Sequence, residues 1–312
     1  MENKKNILIT LADENYIEHA KQLFSSVYFN AGWKGDYMLL AHNMPEKELK
    51  WFKERGILVK KCEPLYNKKQ IEGYSSTILS KFYLFTEEMK KWQNIIYLDA
   101  DIIVRANIDD LTKVKGFAAV LDLPFPKLLF QLKSSKELFK EFSGYNLDEP
   151  SFNAGVLAFS TNIIEMDTFS KLKESFKKYV KHSRFLDQAT YNLFFYKKWK
   201  KLPLIYNINP EYLFKIFLKL IRVDAIILHF SGGSRKRSKA LTSDKYRFYK
   251  EWKYNLDRAD KIDLKKIPKG KKWSKIKKIS YSLFIRLGNT FYKKILARAL
   301  NLQRRHFLEK ES

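Results

Sequence analysis

The chain has 312 residues, 45% of them hydrophobic and 15% aromatic, which excludes an intrinsically disordered protein and predicts a packed core large enough for an enzyme. Its formal net charge of +26 indicates an anionic partner, with nucleic acid and an anionic membrane surface as the two obvious classes. The single cysteine, Cys62, excludes an intramolecular disulfide and a cysteine-based zinc site, and it fits a reducing compartment.

The first third of the chain alternates between strand-like and helix-like segments. Short apolar runs predict strands at residues 6–12, 36–41 and 57–62, and from Asn94 onward. Apolar residues at helical spacing predict helices at 16–30, 46–55 and 80–92. Strands separated by helices of this length indicate an α/β fold, with a mostly parallel sheet covered by helices on both faces.

The same pattern continues beyond residue 101. Further strands are predicted at 117–121, 154–159, 202–206 and 225–230, and further helices at 162–181 and 186–198. Residues 127–142 between two of these strands are predicted to form a helical or lid-like insertion. Because there is no internal repeat and no Gly/Ser-rich linker, we expect one compact catalytic domain at residues 1–262.

Residues 263–312 form a tail of different composition. From 261 to 312 there are 16 Lys and Arg against 3 Asp and Glu, a net charge of +13 and half of the chain's total. Apolar residues recur every three or four positions from Trp273 to Ala299, which predicts an amphipathic helix, or two helices broken near Gly288. Such a helix suits an anionic membrane interface, here through residues 265–305. The alternative is a helix packed on the catalytic domain with a solvated basic face.

Two apolar stretches bear on the location of the protein. The run at 7–12 is too short for the core of a secretory signal, and charged residues interrupt the stretch at 212–230 before it reaches the length of a membrane span. We therefore expect a cytoplasmic protein that associates peripherally with the inner face of the plasma membrane.

Two carboxylates follow the predicted strand that begins at Asn94. Asp99 and Asp101 are spaced at i and i+2, so they project to the same side of an extended chain. Their mutual repulsion is tolerable if a divalent cation lies between them, and oxygen ligands suit Mg²⁺ or Mn²⁺, which usually share their coordination with a substrate phosphate. The alternative is that both residues cap a helix or lie in a solvated loop.

Polar residues at other predicted strand and helix ends could line the same cleft. Asp13 and Asn15 follow the first strand, where ligands bind in a doubly wound sheet, although either could cap the next helix. Asn153 can both donate to and accept from sugar hydroxyls, and the following Ala154-Gly155 would let a ligand approach the backbone, although a tight turn also explains the glycine.

Two later segments complete the candidate set. Asp187 and Gln188 open a predicted helix, where Asp187 could serve as its N-cap or both could lie at the cleft floor. His229 ends the last predicted strand and is a candidate third metal ligand, although a single histidine there is more often structural. The basic, glycine-containing segment after it suits a loop that closes over phosphates, through Gly232, Arg235 and Lys236.

Five short motifs occur in a fixed order along the chain. They are Ala-Asp-x-Asn-Tyr at 12–16, Tyr-Leu-Asp-x-Asp at 97–101, Phe-Asn-Ala-Gly at 152–155, Asp-Gln at 187–188 and His-x-x-Gly at 229–232. Each is weak alone, but together they resemble glycosyltransferase family 8. This family comprises retaining, metal-dependent sugar-nucleotide transferases, including bacterial lipopolysaccharide galactosyl- and glucosyltransferases.

The resemblance implies a GT-A fold, a UDP-sugar donor, and a Mn²⁺ or Mg²⁺ ion that bridges the diphosphate. The metal ligands it implies are Asp99, Asp101 and His229. The donor-binding residues it implies are Asp13, Asn15, Lys81, Asn153, Ala154, Gly232, Arg235 and Lys236. Beside the transferred sugar it places Gln188, Asp187 and Asp122 as the catalytic candidates.

The resemblance also implies a mechanism, and this sequence departs from the family pattern at two places. Gln188 comes nearest the position of a nucleophile, with Asp187 less favoured, but an amide is a poor nucleophile, so front-side attack by the acceptor is the better hypothesis. Lys81 replaces a family arginine. After His-x-x-Gly the family often continues x-x-Lys-Pro-Trp, whereas Arg235 stands at the lysine position here and no Pro-Trp follows.

The predicted function is therefore transfer of galactose or glucose from a UDP-sugar to a hydroxyl of a membrane-linked cell-surface glycan, such as lipopolysaccharide or capsule. Two alternatives come from other classes. A nucleic-acid-binding protein would use the basic tail, but the charge is concentrated at one end, so no nucleic acid is expected. A metal-dependent nucleotidyltransferase would share the acidic pair but does not explain the Phe-Asn-Ala-Gly and His-x-x-Gly motifs.

Overall fold

The structure is a computed structural model, and it describes residues 6–67, 70–71, 73–123, 126–135, 138–210, 224–231 and 248–281. The strands in these ranges are β1 (Asn6–Ala12), β2 (Asp36–His42), β3 (Leu58–Cys62), β4 (Gln70–Ile71), β5 (Tyr74–Ser75), β6 (Asn94–Leu98), β7 (Ile102–Val104), β8 (Phe117–Leu121), β9 (Phe152–Ser160), β10 (Trp199–Leu202) and β11 (Ile227–His229). The α-helices are α1 (Ile17–Ser26), α2 (Glu46–Glu54), α3 (Leu138–Glu141), α4 (Thr168–Tyr179), α5 (Leu186–Phe194) and α6 (Tyr249–Asp257).

The central sheet has seven strands in the order β10-β8-β9-β6-β1-β2-β3. Neighbouring strands pair in parallel except at β9, which runs antiparallel to both β6 and β8. Six strands therefore point the same way and one points the opposite way. This arrangement confirms the predicted α/β fold with a mostly parallel sheet.

Both faces of the sheet are buried. Along β1, Leu8 packs into a cluster that contains residues of α1, α2 and α6. Its neighbours Ile7 and Ile9 point to the other face and pack with residues of α4 and α5. Since successive side chains of a strand alternate between faces, the unbroken apolar run of β1 fits a sheet enclosed by helices.

The predicted helix at 80–92 is wrong, because the structure has two 3₁₀ segments there, Ser76–Phe85 and Glu87–Lys91. Residues three apart lie on one side of a 3₁₀ helix. Leu79, Phe82 and Phe85 follow this spacing and are all buried, so the tighter turn places them together in the core.

The predicted strand at 202–206 is also displaced, since β10 ends at Leu202 and Leu204–Tyr206 is a 3₁₀ turn. Pro203 separates the two and cannot donate a backbone hydrogen bond to a sheet. The insertion at 127–142 contains a 3₁₀ turn, Leu128–Gln131, and the short α3.

The beginning of the tail packs on the rest of the chain. The Tyr28 hydroxyl donates to the backbone oxygens of Asp263 and Lys266, at 2.9 and 2.6 Å. Gly270 lies against the turn after α1, and a Cβ there would be 2.0 Å from the Ala31 oxygen, so no side chain fits. The boundary at residue 262 stays a prediction. Residues 275–281 are helical, and the remainder of the predicted tail helix lies outside the described residues.

Within the described ranges, no helix combines the length and apolar character needed to cross a lipid bilayer.

Candidate active site

The candidate site lies at one edge of the central sheet. Asp13, Asp99 and Asp122 come directly after β1, β6 and β8, which point the same way, so the three carboxylates share that edge. The first residues of β9 reach the same edge because β9 runs in the opposite direction. Asn153, the second residue of β9, pairs with Val120 of β8. The topology therefore gathers side chains from four separate stretches of sequence.

His229 reaches this edge through a small second sheet. The chain turns after Asp101 into β7, which pairs antiparallel with β11 so that His229 lies opposite Ile102. Two backbone hydrogen bonds fix the end of β11: Phe230 N donates to the Asp101 oxygen at 3.1 Å, and His229 N donates to the Ile208 oxygen at 2.9 Å. The register of this strand pair therefore places the imidazole beside the acidic pair.

Asp99, Asp101 and His229 form a cluster that can hold a metal ion, with ligand atoms all within 4.8 Å of one another. His229 Nε2 lies 3.3 Å from Asp101 Oδ1 and 3.7 Å from Asp99 Oδ2. The His229 side chain is only 2% exposed, whereas the two carboxylates are partly open to solvent. Two carboxylates and one imidazole with an open side suit a divalent cation.

A second hydrogen bond orients the His229 ring. Asn207 Nδ2 donates to Asn153 Oδ1 at 2.9 Å, which leaves Asn207 Oδ1 to accept from His229 Nδ1 at 2.9 Å. With Nδ1 committed to Asn207, Nε2 is the ring nitrogen that faces the carboxylates. Burial lowers the pKa of His229, but the neighbouring Asp101 and Asp99 outweigh it and hold the pKa above its usual value.

Lys81 occupies the floor of the site and is buried. Its Nζ lies 2.9 Å from Asp99 Oδ1 and 2.8 Å from Asp187 Oδ2. The Tyr97 hydroxyl also donates to Asp99 Oδ1, at 2.6 Å, so this oxygen is fully engaged and Oδ2 is the one that faces His229. Burial lowers the pKa of Lys81, but the charges of Asp187 and Asp99 together raise it above its usual range.

Asp122, Asn153 and Gln188 form a hydrogen-bonded group next to the metal-ligand cluster. Gln188 Nε2 donates to Asp122 Oδ2 at 3.0 Å, while Gln188 Oε1 accepts from Asn153 Nδ2 at 3.1 Å and from Ala154 N at 3.0 Å. Burial raises the pKa of Asp122 to about 6, although hydrogen bonds from Gln131, Asn153 and Gln188 act to lower it. These oxygens and amides can bind sugar hydroxyls.

The remaining predicted residues are placed as follows. Asp13 Oδ1 caps a 3₁₀ turn by accepting from Asn15 N at 3.0 Å, and its Oδ2 accepts from Thr77 Oγ1 at 2.9 Å. Asp187 lies inside the first turn of α5 and does not cap it. Gly232, Arg235 and Lys236 lie outside the described residues.

Gly155 is the point of closest approach between the backbone and His229. A Cβ at this position would lie 2.1 Å from Cε1 of the imidazole, and the ring cannot retreat because it is 2% exposed and bonded to Asn207. We predict that Gly155→Ala displaces His229 and weakens divalent-cation binding about tenfold to a hundredfold, which isothermal titration measures.

Gly144→Ala is the matched control, because a Cβ there meets no atom within 4 Å. We expect this variant to bind the cation as the wild type does. Equal cation affinity in Gly155→Ala and the wild type would contradict the placement of His229.

Comparison with known proteins supports one family. The family model of Glycosyl transferase family 8 matches residues 7–236. This range covers most of the chain and contains every described residue of the site. The chain belongs to glycosyltransferase family 8. Membership confirms the resemblance inferred from the five motifs, and it decides against a nucleotidyltransferase.

Relatives of this family 8 enzyme include plant and bacterial proteins. Galactinol synthases 5 and 4 of Arabidopsis thaliana are 24% and 27% identical to it, over 75% and 70% of this chain and 69% and 66% of their own lengths. The galactosyltransferase LgtC, solved with donor and acceptor sugar analogues, superposes with a TM-score of 0.60 at 16% identity, covering 80% of this chain and 95% of its own. The glycosyltransferase GlyE of Streptococcus pneumoniae superposes at 0.55 and 19% identity, over 84% and 62%. These structures support the GT-A fold.

Two residues that hydrogen-bond to site side chains of this glycosyltransferase, Asn207 and Gln131, were not predicted from the sequence. Asn207 follows the apolar residues Ile205 and Tyr206, and Gln131 interrupts an apolar run. Both are amides next to side chains that are buried, and such a group requires a hydrogen-bond partner. That requirement was the available signal, although it does not tell which partner is used.

Proposed function

We propose that the protein is a retaining, metal-dependent hexosyltransferase that moves galactose or glucose from a UDP-sugar to a hydroxyl of a glycan. The observation that carries this proposal is the proximity of two groups at one sheet edge. A cluster suited to a divalent cation, Asp99, Asp101 and His229, adjoins a polar group suited to a sugar, Asp122, Asn153 and Gln188. The described activities of the relatives, galactinol synthases and a galactosyltransferase, agree with it.

In this proposal the donor lies across the sheet edge. Asp13 and Asn15 bind the uracil, Lys81 lies near the phosphates, and Ala154 permits close approach of the sugar. Gly232, Arg235 and Lys236 close over the diphosphate. A Mn²⁺ or Mg²⁺ ion bound by the three-residue cluster would neutralise charge on the departing diphosphate.

The contacts of Gln188 support front-side attack over a covalent intermediate. Its Oε1 already accepts two hydrogen bonds, from Ala154 N and Asn153 Nδ2, so neither lone pair is free to attack. Asp187 Oδ2 is paired with Lys81 Nζ at 2.8 Å. The chain therefore positions the sugar, and the acceptor hydroxyl attacks from the side of the leaving phosphate, which takes up its proton.

The test is a screen of UDP-glucose, UDP-galactose and other nucleotide sugars for hydrolysis and transfer with Mn²⁺. We expect cation-dependent turnover of at least one hexose donor, with retained anomeric configuration in the product. Absence of cation-dependent turnover with every nucleotide sugar would overturn the proposal.

The acceptor is proposed to be a membrane-linked cell-surface glycan, such as lipopolysaccharide or capsule, reached from the cytoplasmic side. This part rests on the start of the tail helix, where Ile276 and Ile279 are 79% and 52% exposed. Four lysines flank them along the chain, Lys272, Lys275, Lys277 and Lys278, of which the last two pair with Asp224 and Asp110. Exposed apolar residues among lysines suit an anionic membrane interface.

We predict that the double substitution Ile276→Asp and Ile279→Asp lowers binding to vesicles containing anionic lipid about tenfold or more, as measured by flotation. Leu58→Asp is the control, since Leu58 is an exposed apolar residue of β3, 42% exposed and far along the chain from the tail. Retention on an oligonucleotide column without vesicle binding would favour the nucleic-acid alternative for the tail.

A further inference from the structure

Gln131 is a fully buried amide in the segment between β8 and β9. It follows the apolar residues Leu128, Leu129 and Phe130 and precedes Leu132. A buried glutamine is costly unless its amide is hydrogen-bonded, so its partners show what it is held for.

Two of the three partners of Gln131, Asp122 and Gln188, belong to the group proposed to bind the sugar. Its Nε2 donates to Asp122 Oδ2 at 2.9 Å and to Ser151 Oγ at 3.2 Å. Its Oε1 accepts from Gln188 Nε2 at 2.8 Å. One side chain thus contacts both Asp122 and Gln188.

The backbone around Gln131 is fixed on both sides. The backbone oxygen of Gln131 accepts from Arg184 N at 2.8 Å, and Lys133 N donates to the backbone oxygen of His182 at 2.7 Å. Upstream, Leu128 N donates to the Glu149 oxygen at 2.8 Å. Backbone hydrogen bonds therefore hold the segment around Gln131 against residues 182–184, which lead into α5, the helix that contains Gln188.

The orientation of the Gln188 amide depends on this arrangement. Its Oε1 faces Ala154 N, so its Nε2 must point to Asp122 and Gln131. Without the side-chain oxygen Oε1 of Gln131, Gln188 Nε2 keeps only Asp122 as a partner. Without the Gln131 Nε2 donor, Asp122 Oδ2 keeps one of its two donors, Gln188, and the carboxylate is held less firmly.

We propose that Gln131 is a positioning residue, which holds the Asp122 carboxylate and the Gln188 amide in the orientation that binds the transferred sugar. The inference rests on the proposed function, because the sugar-binding roles of Asp122 and Gln188 do. It assigns a part in sugar binding to the insertion between β8 and β9.

The test compares Gln131→Met, which keeps the side-chain length and removes its hydrogen bonds, with Ser151→Ala, which leaves the bonds to Asp122 and Gln188 in place. We expect Gln131→Met to lower kcat for hexose transfer about 30-fold, with the Kd for UDP within twofold of wild type. For Ser151→Ala we expect a kcat near that of the wild type. We expect kcat to be lower still in Gln131→Glu, because this substitution sets a second carboxylate against Asp122. Loss of packing alone does not produce this order.

A stability measurement tests the contact independently of activity. In a double-mutant cycle of Gln131→Met and Asp122→Asn, the unfolding equilibrium constants are expected to show coupling of about tenfold. Additive effects would overturn the proposal, and so would coupling accompanied by unchanged kcat in Gln131→Met. If the wild type turns over no UDP-sugar, the proposed function and the sugar-positioning role both fail, while the coupling still reports the contact.

Discussion

Replacing Asp101 with Asn is expected to lower hexose transfer about a thousandfold or more and to remove its dependence on a divalent cation. The substitution keeps the shape of the side chain and removes one of the two negative charges of the cluster. Asp101 Oδ1 lies 3.3 Å from His229 Nε2, so the lost charge is at the centre of the site. Turnover across a Mn²⁺ titration, with cation affinity from calorimetry, measures both effects.

Asp167→Asn is the control for this substitution. Asp167 is a surface residue, with a side chain 55% exposed, and it pairs with Lys171 at 2.8 Å. Removing an exposed carboxylate is expected to leave turnover and cation affinity unchanged. An Asp101→Asn enzyme that keeps cation-dependent turnover would mean that Asp99 and His229 suffice, or that the cation binds elsewhere.

The main features of the site could be predicted because they follow from local sequence. A buried strand followed by Asp99-Ala100-Asp101 predicts a carboxylate pair at its end, and the structure shows their oxygens converging with His229, with a turn at residues 100–101. Strand ends were equally informative, since parallel strands present their carboxyl ends at one edge. The motif order supplied His229, which local pattern alone did not distinguish from a structural histidine.

Other features depend on contacts distant in sequence. The antiparallel direction of β9 is not encoded in its own apolar run, because a buried strand has the same pattern in either direction. Asn207 and Gln131 acquire their roles from residues 22 and 57 positions away, His229 and Gln188. A polar residue in an apolar run signals a buried hydrogen bond, but only the fold reveals its partner.

Lys81→Met is expected to lower the free energy of unfolding by about 3–5 kcal/mol, because it leaves the buried Asp187 carboxylate and the partly exposed Asp99 carboxylate without their cation. Lys81 Nζ contacts Asp99 Oδ1 and Asp187 Oδ2 at 2.9 and 2.8 Å, and its side chain is only 6% exposed. Burial already raises the pKa of Asp187, and Lys81 acts against it. Without the lysine, the folded protein holds a carboxyl group that favours the protonated form even more strongly.

The pH dependence of this loss has a definite sign. A carboxyl group whose pKa is higher in the folded state than in the unfolded state destabilises the fold at high pH, and this cost falls as the pH drops through the folded pKa. The difference in stability between the wild type and Lys81→Met should therefore shrink between neutral and mildly acidic pH. Urea unfolding at a series of pH values measures it.

Two further substitutions separate charge from position. Lys113→Met removes an exposed lysine that pairs with Asp110 at 2.8 Å, and it is expected to leave stability nearly unchanged. Lys81→Arg keeps the positive charge, and arginine is the residue that the family places here, so we expect it to retain most of the stability and part of the turnover. If Lys81→Met is as stable as the wild type at neutral pH, Lys81 does not hold Asp99 and Asp187. The orientation of Asp99 beside Asp101 must then depend on Tyr97 and His229.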